Sequence, residues 1–322
     1  MKLLLPVLVI FFLFNQVFYR HAGKNILLKG DQIGQSNQSM KHLNKDPEQN
    51  PISNDTPVLI SSQFSFTEGP AVDRDGNVFF TDQPNNKIWE YSTEGKLSLF
   101  MDNAGRSNGM YFDEDGNLIT CADENNQLWS ISPGKKVTVL VKNFNNEILN
   151  GPNDVWVNHT NGDIYFTDPF YQRDYWSKDH IHMKPQNLYY VKKGASQAVI
   201  ADDKIIKPNG IIGTPDGKLL YVADIEGNKV YKYQIANDGS LIDKEKFIDH
   251  GSDGITLDAD GNLYITGNGV TVFDKNGKQI QHFNIPEEWT ANVCFGGKDL
   301  TYLFIAASKS VYKISLKVKG IR

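Results

Sequence analysis

From Thr56 onward the chain is a succession of short apolar stretches. Val78-Phe79-Phe80-Thr81, Leu118-Ile119-Thr120-Cys121, Ile164-Tyr165-Phe166-Thr167, Leu219-Leu220-Tyr221-Val222 and Leu263-Tyr264-Ile265-Thr266 are rich in β-branched and aromatic residues. Each follows a turn of one kind: Asp75-Gly76-Asn77, Asp115-Gly116-Asn117, Asn161-Gly162-Asp163, Asp216-Gly217-Lys218 and Asp260-Gly261-Asn262. Such turns join antiparallel strands, because glycine and asparagine accept the left-handed backbone that a tight hairpin needs. An alternating second stretch follows, as in Lys87-Ile88-Trp89-Glu90-Tyr91 and Gln127-Leu128-Trp129-Ser130-Ile131, and then a third, as in Leu97-Ser98-Leu99-Phe100. No segment carries apolar residues at sustained helical spacing, so the pattern predicts an all-β protein.

The pattern is also a repeat. The turn glycines at 76, 116, 162, 217 and 261 are 40, 46, 55 and 44 residues apart, and Lys298-Asp299-Leu300-Thr301-Tyr302-Leu303 is a degenerate sixth copy. That period suits four short strands per unit, and six such units closed in a ring form a six-bladed β-propeller. The sixth unit runs out of chain after three strands. Pro57-Val58-Leu59-Ile60-Ser61, which precedes the first unit, is therefore expected to supply the fourth and close the last blade with an N-terminal strand.

The first residues read differently. Lys2 precedes an unbroken apolar run from Leu3 to Phe14, too short for an ordinary membrane span. Residues 1–22 are expected to be a signal peptide or an N-terminal anchor, residues 23–55 a polar flexible lead, and residues 56–322 one propeller domain. This predicts export, periplasmic or secreted, with membrane attachment only if the segment stays uncleaved. The chain of 322 residues carries 33 Lys and Arg against 38 Asp and Glu, a net charge of −5, which argues against nucleic-acid partners. Its two cysteines, Cys121 and Cys294, make no disulfide framework and no zinc-finger spacing.

In a propeller the first strand of every blade lines the central channel. Residues about seven positions before each hairpin turn therefore converge near the axis: Glu68, Asn108, Asn153, Asn209 and Asp253, with Asn292 close to phase in the sixth unit. All present oxygen, and none is His or Cys, which describes a hard-cation site best suited to Ca²⁺. Glu68 and Asp253 supply charge, and Asn153 and Asn209 supply neutral carbonyl oxygens. The longest insertion, residues 170–186, holds Tyr171, Tyr175, Trp176, His180 and His182, an aromatic set suited to a lid or sugar-stacking wall.

These stretches resemble the gluconolactonase–regucalcin family of six-bladed propellers. The resemblance covers about Val58 to Leu316 and is carried by Phe66-Thr67-Glu68-Gly69-Pro70, Asn150-Gly151-Pro152-Asn153-Asp154, Lys207-Pro208-Asn209-Gly210 and Ser252-Asp253-Gly254. It implies a divalent metal, Ca²⁺ foremost, held by Glu68, Asn153, Asn209 and Asp253, and hydrolysis of a small-molecule lactone or ester. Asp253 is then the catalytic residue, activating water, with Asn108, Arg106 and Asp168 binding substrate. Regucalcin-type members have an arginine two residues before the Asn153 position. Here that residue is Gly151, and Arg106 stands two before Asn108 on the neighbouring unit. Two other functions remain open on the sequence: a carbohydrate- or partner-binding propeller with a structural ion, and a phosphotriesterase- or arylesterase-like hydrolase at the same metal.

Overall fold

The computed structural model describes residues 52, 53, 55–176 and 185–322. The expected signal or anchor, most of the polar lead, and His180 and His182 lie outside these residues.

Within them the chain is an all-β, six-bladed propeller of 24 strands, with no α-helix. The innermost strands are Thr67–Val72, Ser107–Phe112, Val155–Asn158, Pro208–Gly213, Ile255–Leu257 and Thr290–Gly296. Blades 1 to 4 are separate four-stranded antiparallel sheets, and blades 5 and 6 touch through one backbone pair, Gly267 with Thr290.

The hairpin joining the first two strands of a blade owes its shape to its aspartates. Asp73 Oδ1 accepts the N–H groups of Asp75 (2.9 Å) and Asn77 (2.8 Å), and Asn77 Nδ2 donates to Asp73 Oδ2 (2.8 Å). Asp113 and Asp258 repeat this arrangement in blades 2 and 5. The Asp-x-Asp-Gly-Asn pattern therefore satisfies its own backbone without help from packing.

Burial falls from the axis outward. In blade 1 the second strand, Val78–Asp82, is wholly buried, whereas the fourth, Leu97–Asp102, has no buried residue. The core lies between blades: Trp156, Tyr165, Leu220, Val222, Ile255 and Leu263 form one cluster across blades 3, 4 and 5. Cys121 and Cys294 are both buried and unpaired.

Val58–Ser61 pairs antiparallel with Ser310–Ser315 and completes blade 6, as the strand count required. Chain packing continues further toward the N-terminus than residue 56. Ile52 is 1% exposed within the blade 6 cluster, its carbonyl accepts the Lys317 N–H (2.9 Å), and Ser53 Oγ donates to the Ser315 carbonyl (2.7 Å). The lead thus contributes a core side chain. Ile52→Ala should lower unfolding free energy by about 2–5 kcal/mol in denaturant titration. Unchanged stability would show that this part of the chain adds nothing to the ring.

Candidate functional site

The axial residues reach the channel because the innermost strands are irregular there. Pairing register slips between Glu68 and Ala71, Ser107 and Met110, Pro208 and Ile211, and Thr290 and Asn292. Each slip is a bulge that re-aims one side chain. In blades 3 and 5 regular pairing starts only at Val155 and Ile255, just after Asn153-Asp154 and Asp253-Gly254.

Glycine then lets neighbouring blades meet. Gly109 N–H donates to the Asn153 carbonyl (2.7 Å), Gly210 to the Asp253 carbonyl (2.7 Å) and Gly254 to the Ala291 carbonyl (2.8 Å). A Cβ on Gly109 would stand 2.0 Å from Asp154 Oδ1, and one on Gly254 2.0 Å from Asn292 Oδ1. These glycines are close-approach residues rather than turn formers.

Three carboxylates converge as a result. Asn292 Nδ2 donates to both Glu68 Oε2 and Asp154 Oδ2, each at 3.2 Å, and Gly69 N–H also donates to Glu68 Oε2 (2.8 Å). Burial, and after it the charges of Asp253 and Asp154, raise Glu68 well above the usual carboxylate range. Burial pushes Asp154 up to about 7, against its hydrogen bond from Asn292 and with Asp253 adding to the rise. Asp253, partly open to solvent, is pushed up to about 6 by loss of hydration, opposed by hydrogen bonds from Trp289 and Asn209 and by the charge of Arg173. Trp289 Nε1 donates to Asp253 Oδ2 at 2.6 Å. Neither Glu68 nor Asp154 has an ion pair among the described residues. Crowded, buried carboxylates without a counter-charge favour a bound cation.

The donors suit an oxygen-seeking cation. Among the described residues no three His, Cys, Asp or Glu groups are gathered to hold an ion by themselves, so an ion here would need amide oxygens as well. Asn153 is buried, and its amide makes no hydrogen bond among the described residues. Asn209 Nδ2 donates to the Tyr171 hydroxyl (3.0 Å), which leaves its Oδ1 as the acceptor end. Carboxylate and amide oxygens of this kind fit Ca²⁺.

The expected substrate residues separate. Asn108 sits on the channel with its amide free of hydrogen bonds among the described residues. Arg106, at a left-handed φ of 46°, pairs with Glu124 (3.3 Å) and lies 4.5 Å from the Tyr175 ring centroid. Asp168 takes a different part from the one expected. Its oxygens accept the N–H groups of Asn150 (2.9 Å) and Gly151 (2.8 Å), just as Asp82 holds Ser65 and Phe66, and Asp224 holds Ile206 and Lys207. It is one of three equivalent strand-end clamps, with its oxygens engaged by backbone rather than presented to a substrate.

Sequence reasoning missed Asp154, Trp289 and the anchor of the insertion. Asp123, buried at the end of blade 2's second strand, accepts Arg173 Nε (2.8 Å), the Tyr175 hydroxyl and Gln83 Nε2 (3.2 Å), and its carbonyl accepts Trp176 Nε1 (3.0 Å). Burial raises its carboxyl even against Arg173. This latch ties the blade 3 insertion to blade 2 and brings Tyr171 to Asn209. The only signal in the sequence was the unusual length and aromatic content of the insertion.

Residues 66–309 match the family model described as the SMP-30/Gluconolactonase/LRE-like region. The chain is 26% identical over 296 residues to a gluconolactonase of Zymomonas mobilis, covering 82% of this chain and 83% of the relative. Among solved structures it is similar to a gluconolactonase from Xanthomonas campestris (TM-score 0.75, 23% identity, 83% of this chain and 91% of the other). It is also similar to a calcium-binding protein, regucalcin, from Agrobacterium tumefaciens (TM-score 0.70, 18% identity, 83% and 95%). At these identities the structural likenesses speak for the fold.

The crowded carboxylates make a direct prediction about stability. Calcium added to chelator-treated protein should raise the melting temperature, by the equivalent of about 2.7 kcal/mol at a hundredfold excess over Kd. Scanning calorimetry should find most of that gain lost in Glu68→Gln. A melting temperature indifferent to calcium would remove the cation from this site.

Proposed function

The chain belongs to the SMP-30/gluconolactonase/LRE-like family, and from that premise we propose that it is a lactone hydrolase with its centre at the mouth of the propeller channel. The observation that carries this reading is the convergence of Glu68, Asp154 and Asp253 beside the amides of Asn153 and Asn209. The gluconolactonase of Zymomonas mobilis, similar over most of both chains, supports the substrate class. Glu68, Asn153, Asn209 and Asp253 would hold a divalent ion, Ca²⁺ by donor type, whose contribution is to draw electrons from the lactone carbonyl.

The remaining work falls to the protein's own groups. Asp253, pushed up to about 6, is ionised at neutral pH and still basic enough to accept a proton from an attacking water. The Trp289 indole donates to Asp253 Oδ2 and so orients the carboxylate, whose Oδ1 would take the proton of the attacking water. Asn108 offers an unengaged amide to substrate hydroxyls. The insertion, latched through Asp123, walls the mouth with Tyr171 and Tyr175. The apolar run Leu3–Phe14 supports export of the enzyme.

Two measurements test this reading. Hydrolysis of aldonolactones should collapse in chelator and return on adding calcium. Asp253→Asn should lower kcat by about 10²–10⁴. Full activity in chelator, or a near-wild-type rate in the variant, would contradict the assignment.

A further inference from the structure

The rim of the channel is not electrically uniform. The residue two before the axial position is Arg106 in blade 2 and Lys207 in blade 4; in blades 1, 5 and 6 it is Phe66, Gly251 and Thr290. Blade 3 has Gly151 there, but its insertion delivers Arg173 to the same side. Three cations therefore stand over blades 2 to 4 and none at the matching positions of the other half.

These cations are held by aromatic rings. Lys207 Nζ lies 4.1 Å from the Tyr171 ring centroid and the Arg173 guanidinium 5.5 Å from it, while Arg106 stacks on Tyr175. Arg173 and Arg106 each have a carboxylate, Asp123 and Glu124. Lys207 has no ion pair among the described residues, although it is half-buried and its backbone N–H is clamped by Asp224 (3.0 Å). A π face does not neutralise an ammonium, so among the described residues Lys207 is a cation with a ring beside it and no counter-charge. Its neighbour across the shared ring is a second cation, and the ring's own hydroxyl touches Asn209 at the catalytic centre.

We propose that Lys207 and Arg173, gathered on Tyr171, form an anion subsite beside the centre, so that the preferred substrates are sugar-acid lactones bearing a second acidic group, such as a carboxylate or sulfonate, remote from the lactone carbonyl. This rests on the lactonase reading for its location. A neutral sugar leaves the Lys207 charge without a partner; an anionic one receives a charge-assisted hydrogen bond of the stronger class.

D-gluconate and D-glucarate differ only at the far end, a hydroxymethyl against a carboxylate, and neither is a lactone. Calorimetric titration of calcium-loaded protein with each should find glucarate bound about tenfold more tightly, a preference that shrinks at high salt. Lys207→Ala should bring glucarate close to gluconate, whose own affinity changes by less than about twofold, and Lys207→Glu should reverse the preference. Equal affinities in the wild type, no detectable binding of either acid, or a preference that survives both substitutions would overturn the proposal. Lactone hydrolysis assayed on the same preparations reads the activity separately, so failure of one assignment is distinguishable from failure of the other.

Discussion

The structure turns on how closely neighbouring innermost strands approach one another at the channel axis. Six sheets set radially leave little room at the centre, and here the backbones meet at hydrogen-bonding distance through Gly109, Gly210 and Gly254. A side chain at Gly109 or Gly254 would occupy space already taken by Asp154 or Asn292. The same approach closes the ring and compresses the polar side chains beside those glycines into one cluster. Closure thus also gathers the candidate site, and Asn108, Asn209 and Asp253 each directly precede a glycine that makes the contact.

That compression sets the electrostatics. Glu68 and Asp154 share a single amide, Asn292, and among the described residues neither has an ion pair, so their charge is opposed mainly by hydrogen bonds. Asp253 differs: it is closer to solvent, receives the Trp289 indole and is influenced by Arg173. The three carboxylates therefore have separate environments: Glu68 and Asp154 are deep and joined through Asn292, with Asp154 pushed up to about 7, while Asp253 is shallower and pushed up to about 6. In the proposed reaction Asp253 would both help to hold the cation and accept the proton from water, and its shallower place keeps it within reach of that water.

Much of this was legible in the chain. The Asp-Gly-Asn turns encode their hairpins locally, so blade number and the closing strand Val58–Ser61 could be counted. The phase of Glu68, Asn153, Asn209 and Asp253 against those turns is kept because the run from axial residue to turn is nearly constant in the sequence, although the paired strands themselves vary from Ile255–Leu257 to Thr290–Gly296. Legibility fails where a contact is made by a residue outside the repeat. Asp154 directly follows an axial residue and is out of phase with the other five, yet in the unpaired entry to blade 3 its Oδ2 meets the Asn292 amide. Trp289 sits on a loop before the last blade and reaches Asp253 across 36 residues. Asp168 had the composition of a ligand, but three blades share its backbone-clamping position, so its chemistry is spent on the fold. Ile52 lay in a polar stretch with no periodicity, and only closure of blade 6 gives it a place in the core.

The central claim is that blade closure builds a cation site on the axis from Glu68, Asn153, Asn209 and Asp253. The most direct measurement is an anomalous difference map from crystals of the protein soaked in a heavier divalent ion such as Mn²⁺. The account predicts one strong peak on the channel axis, within bonding distance of those four side chains. A map with no axial peak, or with its strongest peak elsewhere, would contradict it.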